Sequence, residues 1–195
     1  MKIIINKSQI LNKIKKATMS SSKIQKKAEN VAYKIFLNAK KRMLQNFDND
    51  EVTKEIKEGA GAFNISDTLG GYGDLFSFLG FEAGSDPITP LRDILDEGTT
   101  FRKGATKGNK FSFIVKLPTN EQIENVGQMP WEIGNAWPFL IEEGISNLSY
   151  FLSKQDTGRS SGGIQIPNMI FENLSFHTRP YLTKIFEEFK EDLEL

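Results

Sequence analysis

The stretch from Ser22 to Phe47 constrains this chain most. Ile24, Ala28, Val31, Ala32, Ile35, Phe36, Ala39, Met43 and Phe47 recur mostly at spacings of three and four. That is the period of an amphipathic α-helix, and it predicts one helix over 22–47. Ser22 opens it, with Gln25 placed for a capping box. The opposite face carries Lys23, Lys26, Lys27, Lys34, Lys40, Lys41 and Arg42. A second helix of the same kind follows from "HTRPYLTKIFEEFKEDLEL", with Pro180 near its start and Leu182, Ile185, Phe186, Phe189 and Leu193 on its apolar face.

Between these helices the pattern turns to strands and punctuation. Residues 90–97 form a short helix opened by Thr89 and Pro90 and stopped at Gly98. Thr99–Lys103 and Lys110–Leu117 form a hairpin around "GATKGN", in which Phe111, Phe113, Val115 and Leu117 alternate with Ser112, Ile114 and Lys116 until Pro118 ends the arm. Thr119 caps a short helix through Val126. "MPWEIGNAWPFLIEEG" reads as a loop and a short helix stopped at Gly144. Ile145–Ser153 and Ile164–Pro167 form a second hairpin around "KQDTGRSSGG". Asp74–Phe81 reads as a strand with apolar residues on both faces, and "DNDEVTKEIKEGAGAFNISD" as a polar loop. Residues 2–6 and 9–18 read as a short strand and a short helix. Loops 103–110 and 154–163 are expected to be mobile. The fold class is α+β: an antiparallel sheet with β-hairpins packed against a long N-terminal and a C-terminal amphipathic helix. Residues 1–21 are an extension, and 22–195 form one domain with an inserted segment at about 82–130.

Charge is divided unevenly. Residues 1–46 hold twelve Lys/Arg and one acid, Glu29, while the remainder holds thirteen Lys/Arg and twenty-four acids. The two parts carry +11 and −11, which points to nucleic-acid contact, to head-to-tail docking of like subunits, or simply to a solvated helix face. The charged helix face has no aromatic, so stacking on bases and sequence-specific readout are not expected. The chain has no cysteine, which removes disulfides, thiolate metal sites and cysteine chemistry. No apolar run approaches the ~18 residues of a membrane span, so no membrane partner is expected.

Sites for chemistry are few. In "GGYGDLF" Gly71 and Gly73 begin a G-x-G pattern, but Phe76 stands at its third glycine and no cation lies between Phe63 and Leu91. The glycines are read as a turn and no cofactor is expected. "DTG" at Asp156–Gly158 lacks the apolar flanks of a paired protease aspartate. His177, the one histidine, has no nucleophile elbow and no second imidazole to work with, and is read as capping or packing before the last helix. Glu142 and Glu143 are adjacent and do not face one another on a helix. A carboxylate site elsewhere is left open. The residues singled out are therefore interface candidates: Phe76, Phe78, Phe81, Trp131 and Trp137 as apolar anchors, with half-buried core as the other reading, and Lys26, Lys27, Lys40 and Lys41 as charged ones.

The order of elements, with "DTLGG" at Asp67–Gly71, "EEG" at Glu142–Gly144 and "RPYL" at Arg179–Leu182, resembles the tail-completion and head–tail joining (neck) proteins of tailed bacteriophages over residues 22–195. The chain departs from that pattern in reading Thr-Leu-Gly-Gly for Thr-Gly-x-Leu, in the segment 82–130 and in its first twenty residues. The resemblance implies a structural virion protein that forms a homo-oligomeric ring at the neck or tail end, with other neck or tail proteins as partners and no catalytic residues. The competing reading is a DNA-binding accessory protein using the basic helix.

Overall fold

A computed structural model describes residues 21–71, 73–105, 111–130, 132–143 and 176–194. The expected strand and helix in residues 2–18, the hairpin at 145–167, the loop 154–163 and Trp131 lie outside the described residues. So does the tip of the first hairpin, at 106–110.

The long helix α1 runs Ser22–Asn49. It begins without the expected capping box: Ser21 holds the cap position in extended backbone with no side-chain bond, and its carbonyl accepts from the Ile24 and Gln25 amides. Phe36, Ala39, Met43 and Phe47 are its buried face. One extended residue, Asp50, ends α1 and caps the next helix, α2 (Glu51–Glu58), by accepting from the Val52 amide at 2.9 Å. Here the structure corrects the polar-loop expectation. Val52 and Ile56 stand one helical turn apart and both are buried, with Thr53 and Glu55.

A second correction concerns Asp74–Phe81, which is not a strand. Leu75–Phe78 is a single helical turn, α3, capped by the Asp74 carboxylate accepting from the Ser77 amide at 2.7 Å. The buried residues Leu75, Phe76 and Leu79 fit a helical spacing as well as a strand one. Gly80, at φ 78°, takes the left-handed conformation that stops the turn.

Helix α4 (Ile88–Gly98) starts where Asp86 accepts from the Ile88 and Thr89 amides, and the Thr89 hydroxyl and amide hold the Asp86 carboxyl below its ordinary range. Strands β1 (Thr100–Lys103) and β2 (Phe113–Lys116) pair antiparallel with Phe101 opposite Val115. Helix α5 (Asn120–Val126) carries the full Thr119–Gln122 capping box. Strands β3 (Gln128–Met129) and β4 (Glu132–Ala136) form a small hairpin where a loop was expected, and helix α6 (Trp137–Glu143) follows. The last helix, α7, spans Leu182–Leu193.

The protein is therefore a mixed α+β chain. Its described strands form two separate two-stranded hairpins, not one sheet. α7 lies along the C-terminal half of α1, where Arg42 pairs with Asp192 and Asn46 donates to Glu188 at 2.7 Å. The β1–β2 hairpin meets the N-terminal half, with Phe101 against Tyr33 and Phe36. α4 returns beside α1, tied by Arg92–Asp48 and Lys40–Asp96. Leu91, Leu95 and Ile123, from the segment read as an insertion, share one apolar cluster with Phe47, Phe76, Trp137, Tyr181 and Phe189. Among the described residues no helix is long and apolar enough to cross a membrane.

Tyr181 gives a testable consequence of this core. Its ring is fully buried between Phe47 and Trp137, and its hydroxyl shares a 2.7 Å hydrogen bond with Thr53. Burial raises the phenol well above its ordinary value near 10. The unfolded chain thus ionises first as pH passes about 10, so Tyr181 contributes stability that is present below that pH and lost above it, at about 1.4 kcal/mol per pH unit. Tyr181→Phe is expected to cost about 1–2 kcal/mol at neutral pH by stranding Thr53 and to flatten the alkaline decline. Urea unfolding of both proteins from pH 8 to 10.5 checks this; equal slopes contradict it.

Candidate functional site

The three short motifs that carry the phage resemblance are far apart in sequence and meet in space. The meeting point is built on α2. Glu55 is wholly buried, and its carboxylate accepts from the Leu75 amide at 2.8 Å, the Ser66 amide at 3.1 Å and the Asn64 side-chain amide at 2.9 and 3.1 Å. Asn64 turns its oxygen the other way and accepts from the Leu69 and Gly71 amides. The Ser66 and Thr68 hydroxyls share a bond of 2.8 Å. Two side chains thus take up the backbone donors of a loop with no regular structure of its own, and fix Asp67–Gly71. Asp67, Gly70 and Gly71 all have positive φ there (57°, 62° and 82°), a conformation glycine adopts without cost.

The segment before α7 locks onto this loop. The His177 amide donates to the Thr68 carbonyl at 2.8 Å, and its Nδ1–H donates to the Asp67 carbonyl at 3.0 Å. Arg179 Nη1 donates to the Ser66 carbonyl at 2.8 Å and to Glu51 at 2.7 Å, while Nη2 lies 3.9 Å from Asp50. Burial pushes the Asp50 carboxyl up, against the pull of the Val52 amide and Arg179. Glu142, at the end of α6, caps α7: its carboxylate accepts from the Tyr181 amide at 2.9 Å and from the Thr183 amide and hydroxyl at 2.6 Å. His177, expected to cap or pack before the helix, ties two loops together instead, and Glu142 does the capping.

Many of the junction's polar groups are engaged in hydrogen bonds to one another. The Glu55 carboxylate lies out of reach of a substrate and is saturated with donors. The Gly71, Leu75 and Ser77 amides are taken by Asn64, Glu55 and Asp74. Among the described residues no cluster of three His, Asp or Glu side chains is placed to hold a metal. A cleft of about 270 Å³ is lined by the engaged Glu142, Arg179 and Thr183 together with Thr178 and Pro180.

No protein-family model, curated protein or solved structure matches the chain.

The residues named from sequence divide by position. Phe76 and Trp137 are buried in the core, with Phe81 between them at ring-centroid distances of 5.4 and 6.2 Å. Phe78 is half-buried and stacks on Phe176 at 5.8 Å. Lys26, Lys27 and Lys41 are exposed on α1, and Lys40 is drawn into its 2.6 Å bridge with Asp96. Sequence reasoning missed two exposed apolar patches. One is the N-terminal half of α1, where Val31 is 52% exposed. The other is Phe63, 84% exposed on the loop after α2. An apolar stripe that continues past the core it serves, and a phenylalanine among Gly-Ala repeats, were the available signals.

Proposed function

We propose that this chain is a structural virion protein of a tailed bacteriophage, acting without catalysis as one copy of a homo-oligomeric ring at the head–tail junction or tail end, next to other neck or tail proteins. The observation that carries the reading is the convergence just described. Asp67 and Thr68 are bonded to His177, the adjoining Ser66 to Arg179, and Glu142 to Tyr181, so the segments behind the resemblance are joined directly or through their immediate neighbours and hold α6 and α7 against the loop after α2. Motifs that serve as stitching suit a protein selected for a rigid shape. The hairpins and the paired α1 and α7 form the wall of such a subunit, and a ring built from identical copies needs two different faces on each.

A second reading is favoured by the exposed lysines of α1. Lys23, Lys26, Lys27 and Lys34 make no ion pair among the described residues, which suits phosphate contact. Titration of short duplexes at rising salt separates the two. The ring reading expects weak binding with no sequence preference, whereas binding that discriminates between duplexes at physiological salt contradicts it.

A further inference from the structure

The two missed patches lie toward opposite ends of α1. The first is an open groove of about 380 Å³ along α1, lined by Ile24, Lys27, Ala28, Val31, Ala32 and Ile35. The second is the loop bearing Phe63 and Ile65, both exposed. Arg179 fastens Ser66 to Glu51, which places this loop near the C-terminal end of α1. From Val31 to Asn49 the helix axis extends about 27 Å. Phe63, three residues from the anchored Ser66, reaches roughly 11 Å at most, so it cannot enter the groove of its own chain.

The two ends also differ in charge. Residues 22–47 hold seven Lys/Arg and one acid, whereas 50–87 hold eight acids and two lysines. Leaving out Lys40, Arg42, Asp50 and Glu51, which face charged partners within the chain, and the buried Glu55, these segments carry +4 and −3. The Phe63 loop is held in shape on both sides: Asp74 accepts from the Gly61 amide at 3.1 Å and Asn64 is bonded into the Glu55 centre. An exposed aromatic on a loop already held in shape loses little entropy on docking.

We propose that Phe63 of one copy seats in the α1 groove of the next, with Lys27 and its neighbouring lysines facing the acidic α2–α3 region around the inserted ring. The inference rests on the reading that the chain assembles with copies of itself, and it names the two faces. They differ, so the contact is head-to-tail and propagates until it closes.

The chain has no cysteine, which permits a clean test. The variants are Phe63→Ala and Val31→Glu, both at exposed positions and both expected to match the wild-type melting temperature at concentrations too low for assembly. Sedimentation of the full chain is expected to show assembly beyond a dimer. Either variant alone is expected to weaken that assembly by about thirtyfold or more, as loss of a central aromatic anchor does. An equal mixture retains one good groove and one good Phe63, so it is expected to form pairs and stop there. Oxidising a mixture of Val31→Cys and Phe63→Cys is expected to give the mixed disulfide in excess over either symmetric one. Wild-type assembly by both variants overturns the inference and leaves the ring reading standing. A dominant Val31→Cys symmetric disulfide, or a Val31→Cys thiol shielded from maleimide in the monomer, also overturns it. A wild type that stays monomeric at every concentration and salt overturns the ring reading itself.

Discussion

Glu55→Ala is expected to destabilise the protein by about 3–5 kcal/mol. The carboxylate is fully buried and satisfies the Leu75 and Ser66 amides and the Asn64 side chain. Each donor left buried without a partner costs about 1–3 kcal/mol, and partial collapse of the loop relieves some of that. Glu55→Gln tests the cause. It preserves the volume but replaces one acceptor oxygen with a donor facing N–H groups, so it too is expected to lose most of the stability. Chemical denaturation measures both. If Glu55→Gln is as stable as the wild type, the carboxylate is not what organises Asn64 to Leu75.

Phe76→Ala is expected to cost a similar amount, about 3–5 kcal/mol, as a large buried ring removed from a close-packed cluster. Phe76 lies against Phe81, which meets Trp137 edge-on at 90° between ring planes. Phe78→Ala removes a half-buried ring stacked on Phe176, and its cost should be smaller. The melting temperatures of the two variants decide between core and surface roles for this segment. Equal, small losses contradict the placement of Phe76 in the core.

The same segment shows what could be read in advance. The helices α1 and α7 were legible because each repeats its apolar period over several turns, and so were the β1–β2 hairpin and the Thr119 cap. Shorter elements were not. Leu75, Phe76, Phe78 and Leu79 satisfy a strand period and a single helical turn equally, and what decides is Asp74 taking the Ser77 amide, a contact without periodicity. Helix α2 was hidden because Glu51, Lys54, Glu55, Lys57 and Glu58 make its composition that of a loop. Val52 and Ile56 after a capping Asp50 were the only hint, and the burial of Glu55 depends on Asn64 and Ser66 arriving from beyond it. Three short motifs fall at the candidate site, yet the bonds that join them or their immediate neighbours span from 39 residues, Glu142 to Tyr181, to 113, Ser66 to Arg179. Of the aromatic anchors, Phe76 and Trp137 were drawn into the core, while Phe63 was overlooked. Hydrophobicity marks a residue for burial but does not say whether its own chain or a neighbour supplies the cover.

The proposed role requires identical copies to assemble into a closed set. Native mass spectrometry of the full chain near physiological ionic strength tests this most directly. A single dominant species is expected, at one integer multiple of the 22.0 kDa chain and greater than two, with the same multiple across protein concentration. A monomer at all concentrations, or an open series of masses with no preferred member, contradicts the account.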